Sequence, residues 1–223
     1  MVLDFFRRSS DKALEHCEVK LAKMLSDGRH AFDAAMSALL GGADPAVVGP
    51  DVRATDRGIN LTEQEIRREL LIHASVTRAL DVPLVLGYMS IVKDAERVGD
   101  YAKNVFDLAA YGVNLSTAKD RDALVGYRDR VSSMIAETAR IFSERDAEQA
   151  RAFITEADDV LDEFDDLVQE AIHSEGRAAD EVPRALLCRY LKRITAHLMN
   201  ILTVLVMSVD QIDYFDEDRE TRE

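Results

Sequence analysis

Apolar residues recur at intervals of three and four along most of the chain. From Asp11 to about Leu40 they fall at Leu14, Cys17, Leu21, Met24, Leu25, Ala31, Phe32, Ala35, Met36 and Leu39, a spacing that predicts a first long helix. The glycines and proline of GGADP at 41–45 end it. A second periodic stretch runs from about Asp51 to Val76, with Val52, Ile59, Ile66, Leu70 and His73 along one side. Asp81 reads as the N-cap of a third helix that tolerates Pro83 in its first turn, continues to about Tyr111 and is closed by Gly112. Further helices fit 116–143, about 146–174 and, after Gly176, about Asp180 to Tyr214.

The fold class is therefore all-α, and the six helices fall into two sets of three. DRGINLTEQEI at 56–66 lies over DDVLDEFDDLV at 158–168, acid on acid and aliphatic on aliphatic. Val-Pro occurs at 82–83 and again at 182–183, and KDAERVGDYAKNV at 93–105 can be laid over RYLKRITAHLMNI at 189–201. A period of about 100 residues exceeds the 20–50 typical of solenoids. It predicts two fused three-helix units, residues 1–114 and 115–223.

The third helix contains an anomaly. Glu96 and Asp100 stack on one face, where like charges are unfavourable by roughly 0.2–0.5 kcal/mol, and Gly99 between them costs about another 1 kcal/mol relative to alanine. The carboxylates extend the apolar stripe of Val85, Met89 and Val92, and the glycine lets something approach the backbone. Folding the second helix back about residue 80 sets Asp56, Asn60 and Glu63 against Glu96, Asp100 and Asn104. The result is a cluster of carboxylates and amides with hardly a positive charge inside it. Such a cluster needs a cation or raised pKa values, and its oxygen ligands suit magnesium, calcium, manganese or iron better than structural zinc. The candidate metal ligands are Asp56, Asn60, Glu63, Glu96 and Asp100. Ordinary helix-spaced ion pairs, Asp100 with Lys103 and Glu63 with Arg67, are the competing arrangement of the same side chains.

Charge narrows the range of partners. The formal balance is −14, from 42 Asp+Glu against 28 Lys+Arg, which opposes binding to a phosphate backbone and so excludes nucleic acid as an expected partner. Cys17 and Cys188 are too few and too far apart for a disulfide framework or a zinc knuckle, and read as reduced core thiols. The start of the chain has no long apolar segment, and VPLVLGYMSIV at 82–92 is too short to span a bilayer. A cytoplasmic location is expected. FFRR at 5–8 reads as a lead into the first helix, and LTVLVM at 202–207 as core. His16, His30 and His197 read as ordinary helix residues. Glu170 and His173 make one Glu-x-x-His spacing where a ferritin-like di-iron centre wants two. No GxSxG elbow, glycine-rich phosphate loop or HExxH occurs, so the chain is not expected to be an enzyme.

VKDAERVGDYAKN closely resembles the signature of PhoU-like proteins, regulators of phosphate uptake with a Glu/Asp-x-x-x-Asp motif in an ERIGD-type setting. Glu96-Arg97-Val98-Gly99-Asp100 matches position by position. The paired sets of three helices and the aspartate-rich stretch at 56–63 are similar to the family's tandem architecture, and MSVDQIDYFDED at 207–218 is similar to the tail of its standalone members. The resemblance implies multinuclear metal clusters on the acidic motifs, often iron. It also implies a non-catalytic cytoplasmic adaptor, homodimeric, that restrains phosphate import through a transporter ATPase and a sensor kinase and meets the membrane only through those partners. The second copy departs from the pattern, with Lys192 and Ala196 where the first has Glu96 and Asp100. Helix five still offers Asp158, Asp162 and Asp165, so one occupied site is expected in the first half, and an ion-paired or empty one in the second. The rival functions are a carboxylate-bridged di-metal oxidase and a metal-free helical scaffold.

Overall fold

A computed structural model describes residues 12–76 and 82–212. Among them are six α-helices and no strand: α1 Lys12–Leu40, α2 Pro45–Val76, α3 Val82–Ala110, α4 Arg121–Glu144, α5 Ala147–His173 and α6 Ala178–Thr203, followed by a short 3-10 turn at Val209–Gln211. Helices α1, α2 and α3 pack on one another, α6 packs on both α4 and α5, and the two sets join along α3–α6 and α1–α4. One apolar core runs through all six helices, from Leu14 and Phe32 in α1 to Leu198 and Leu202 in α6. Cys17 and Cys188 are free thiols within it, held protonated because burial pushes them to about 12 and about 11.

Contacts along α3 and α6 fix their direction. Asp94 bonds His197, whereas Tyr101, further along α3, meets Arg193, further back on α6. The helices are antiparallel, so the connection from α2 to α3 and the connection from α5 to α6 lie at opposite ends of the molecule.

Three boundaries differ from the periodicity. Helix α2 begins at Pro45 rather than near Asp51, because Asp44 Oδ1 accepts the Ala46 N–H at 2.8 Å and Pro45 needs no donor in the first turn. Pro50 then sits inside the helix rather than before it. Helix α4 starts only at Arg121, after turns that include an Asn114 side chain bonded to the Ser116 N–H at 2.9 Å. Helix α6 stops at Thr203, far short of Tyr214. Thr203 turns its hydroxyl back onto the Asn200 carbonyl at 2.6 Å, and the chain then turns through Val204–Val206. Val204 and Ile212 fold against Gly87 of α3, where a Cβ would lie 3.0 Å from Val204 Cγ2. Leu202, Val204 and Leu205 are buried, as a core segment requires. Gly112, with φ of +91°, follows the end of α3. The Asp81 cap, FFRR and the chain beyond Ile212 lie outside the described residues. No described helix is long and apolar enough to cross a membrane.

Candidate metal centre

The pairing of α2 with α3 follows the register expected from folding about residue 80. Lys103 Nζ lies 3.2 Å from both carboxylate oxygens of Asp56, Arg53 lies 3.1 Å from Asp107, and Ile59 packs against Gly99. All five candidate ligands therefore sit along the facing sides of these two helices. Glu63 and Glu96 are buried, at 8% and 6% exposure, while Asp56, Asn60 and Asp100 are half-buried.

Two findings correct the sequence reading. Positive charge does enter the cluster. Lys93 Nζ stands 2.6 Å from Glu96 and 3.9 Å from Glu63, and Lys103 bridges Asp56 and Asp100, the latter at 3.4 Å. Arg67 adds a contact to Glu63 at 3.1 Å, so both helix-spaced pairs of the competing arrangement are present. Both lysines reach the carboxylates because a buried or half-buried carboxylate draws in the nearest long cationic side chain. Gly99, in turn, is approached by a side chain: an added Cβ would lie 2.7 Å from Ile59 Cδ1.

The cluster is thus two tied groups, Glu63 and Glu96 around Lys93, and Asp56 and Asp100 around Lys103. Burial pushes the Glu96 carboxyl above its ordinary range against the pull of Lys93, and the charges of Asp100 and Glu63 add to the rise. Burial also disfavours the Lys103 ammonium, but Asp56 and Asp100 outweigh it and hold that group above the usual lysine value. As the side chains stand, no three Asp, Glu, His or Cys groups among the described residues are arranged to hold a metal ion. The donor set fits a hard cation in chemistry; in position it is closed by lysine.

In the second half, Lys192 of α6 forms a close ion pair with Asp165 of α5, and Arg189 lies 4.0 Å from the same carboxylate. This is the ion-paired arrangement expected there. His173, the histidine of the single Glu-x-x-His spacing, is exposed at the end of α5 with Nδ1 on its own helix's Gln169 carbonyl. His197, by contrast, is a packed helix residue with polar partners. It is 6% exposed, with Nδ1 2.8 Å from Asp94 and Nε2 3.3 Å from Arg193. Arginine only donates, so Nε2 accepts and the ring hydrogen sits on Nδ1, facing Asp94. Tyr101 stacks on the imidazole at 5.7 Å and meets the Arg193 guanidinium, and Asn200 reaches Asp94 at 3.3 Å. This polar seam between the halves escaped the sequence reading. Its one available signal was Asp94 itself, a charge on the side of α3 opposite the Val85–Val92 stripe, beside the apolar positions Gly87, Val98 and Val105.

Comparison with known proteins bears on both halves. Residues 21–109 match the family model described as the PhoU domain, a span that takes in most of α1, all of the described α2 and nearly all of α3. The chain is 28% identical over 155 residues to a phosphate-specific transport system accessory protein PhoU homolog of Aquifex aeolicus, a match covering 69% of each chain. It is 26% identical over 150 residues to a protein of the same description from Synechocystis, covering 66% of each. The match thus spans about two thirds of these relatives' length. The crystal structure of PhoU from Pseudomonas aeruginosa superposes with a TM-score of 0.73 at 22% identity, over 87% of this chain and 95% of that one, and so shares the fold. The Glu96–Asp100 motif lies inside the matched span, so residues 21–109 are similar to the PhoU domain, and the chain as a whole shares the fold of PhoU.

Proposed function

We propose that this chain is a cytoplasmic accessory regulator of phosphate-specific transport, an adaptor between a transporter ATPase and a sensor kinase with no catalytic step of its own. The observation that carries the reading is the PhoU domain over 21–109, which contains the whole facing surface of α2 and α3. Relatives similar over about two thirds of their length are named accessory proteins of the phosphate-specific transport system. A homodimer is the expected assembly, with membrane contact made only through partners and no binding to nucleic acid. In the corresponding test, a strain lacking this chain imports phosphate without restraint, and the tagged chain captures the transporter ATPase. Normal restraint in the deletion strain overturns the proposal.

The same reading makes Asp56, Asn60, Glu63, Glu96 and Asp100 the ligands of iron, manganese or magnesium, which exchanges for the ammonium groups of Lys93 and Lys103. When bound, such an ion supplies concentrated positive charge that holds α2 against α3; the chain's own part is to supply the oxygens and withdraw the lysines. The close Lys93–Glu96 and Lys103–Asp56 contacts favour a second reading, a metal-free scaffold in which lysine is the permanent counter-ion. Elemental analysis of untagged protein separates the two. The first expects metal that disappears in Glu96→Ala/Asp100→Ala and increases in Lys93→Met/Lys103→Met. Equal, negligible metal in all three proteins leaves the scaffold.

A further inference from the structure

Helix α6 opens with an apolar stripe that faces water. Ala178, Val182, Ala185 and Leu186 recur at the spacing of one helical face, yet Val182 is 53% exposed and Leu186 37%. Ile172, at the end of α5, is exposed beside them at 69%. Ala171, Ile172, Ala178, Val182 and Ala185 line a groove of about 380 Å³ between the end of α5 and the start of α6, mainly apolar in its walls, with Ser174 and Glu181 at its edge and Leu186 a turn beyond. The first copy repeats the feature at the same spacing: Ile72, Val82 and Leu86 are likewise exposed at the opposite end of the molecule. The two copies thus differ at the metal motif but share this surface. An apolar stripe with no helix over it among the described residues is the geometry that receives an amphipathic helix.

Charge indicates which one. Glu170, Glu175, Asp180 and Glu181 stand on or beside the groove, with Arg177 between them and Arg184 already tied to Asp120 at 2.7 Å. A second copy of this chain would bring the same acidic rim and another −14 charge against it, and an anionic lipid surface would be repelled in the same way. The geometry points to a docking site at the α5–α6 tip for a basic amphipathic helix of a partner protein, apolar side chains in the groove and lysine or arginine over the acidic rim. This inference stands apart from the metal centre and from the identity of the transport partner.

The test uses the full chain and a fluorescein-labelled peptide of about eighteen residues, built from leucine on one helical face and lysine on the other. Saturable binding is expected from fluorescence anisotropy, with no binding by the analogue carrying glutamate for lysine. The decisive variant is Ile172→Asp/Val182→Asp, whose exposed positions leave the core intact, as circular dichroism checks. It makes the face more acidic. Attraction by charge alone therefore tightens binding, whereas docking in the groove weakens it at least about tenfold, or 1.4 kcal/mol. Unchanged or tighter binding overturns the proposal. So does dimerisation in sedimentation that the same variant abolishes, or adsorption of the wild-type chain to phosphatidylserine vesicles that the variant loses.

Discussion

At position 99 a neighbour, rather than backbone conformation, demands glycine. Ile59 reaches into the space a side chain would fill, and its terminal methyl is the atom in the way. Alanine there gains about 1 kcal/mol of helix propensity and costs about 1–3 kcal/mol of overpacking. Gly99→Ala alone is therefore expected to be neutral or destabilising, whereas in an Ile59→Val background, which lacks that methyl, it stabilises by about 1 kcal/mol in urea denaturation. Additive effects of the two changes remove this account of the glycine. Glu96 gives a second prediction. Its folded-state pKa is raised, so the ionised carboxylate lowers stability at neutral pH, and the penalty disappears as acidification protonates it. With a chelator present, Glu96→Gln is expected to be more stable than wild type by about 1 kcal/mol near pH 7, the difference closing towards about pH 4. A melting series across that range tests the sign.

Among the helices, the seam of α3 against α6 concentrates the most buried polar chemistry. Asp94, His197 and Asn200 are all buried, and the carboxylate depends on the imidazole as its closest donor. Removing one partner of a buried charged contact costs about 3 kcal/mol or more, because the remaining charge stays desolvated. His197→Ala is expected to lose that amount, and Asp94→Asn/His197→Ala less than the sum of the single losses; additivity in the cycle excludes the coupling. The turn between α4 and α5 is held differently. Arg145 adopts φ of 52° and donates to both carboxylate oxygens of Glu18, at 2.6 and 2.8 Å, on the oxygen side that also takes the Tyr88 hydroxyl. Arg145→Gly keeps the turn and loses only the ion pair, so it should melt above Arg145→Ala by about 1 kcal/mol. How far these features could be read beforehand depended on their range. The stripes of α1, α3 and α5 and the fold-back of α2 on α3 are local consequences of periodicity and chain reversal, and the sequence shows them. The start of α2 at Pro45 was less legible, because its first turns carry no regular apolar stripe ahead of Val52 and are set by the Asp44 cap. The entry of Lys93 and Lys103 into the cluster was not legible from facing positions alone, because a long side chain can reach a carboxylate a turn away or on the neighbouring helix. The contact of His197 with Asp94 depends on how the two halves pack, which no single helix encodes.

Over the whole molecule, the excess of acid sets how the protein responds to solution conditions. A balance of −14 repels itself across the surface, and salt screens that repulsion within about 10 Å at 0.1 M. The melting temperature is expected to rise between low and physiological ionic strength, and a fall shows that surface ion pairs dominate instead. The antiparallel crossing of α3 and α6 also decides which halves can mate. In the overlay of the copies, Asp94 corresponds to Tyr190 and His197 to Tyr101. A homotypic union of two amino-terminal halves would bury two carboxylates and no imidazole; two carboxyl-terminal halves would bury two imidazoles and no carboxylate. Only the heterotypic union matches one acid with one base, so halves expressed as separate polypeptides should recognise each other in preference to themselves.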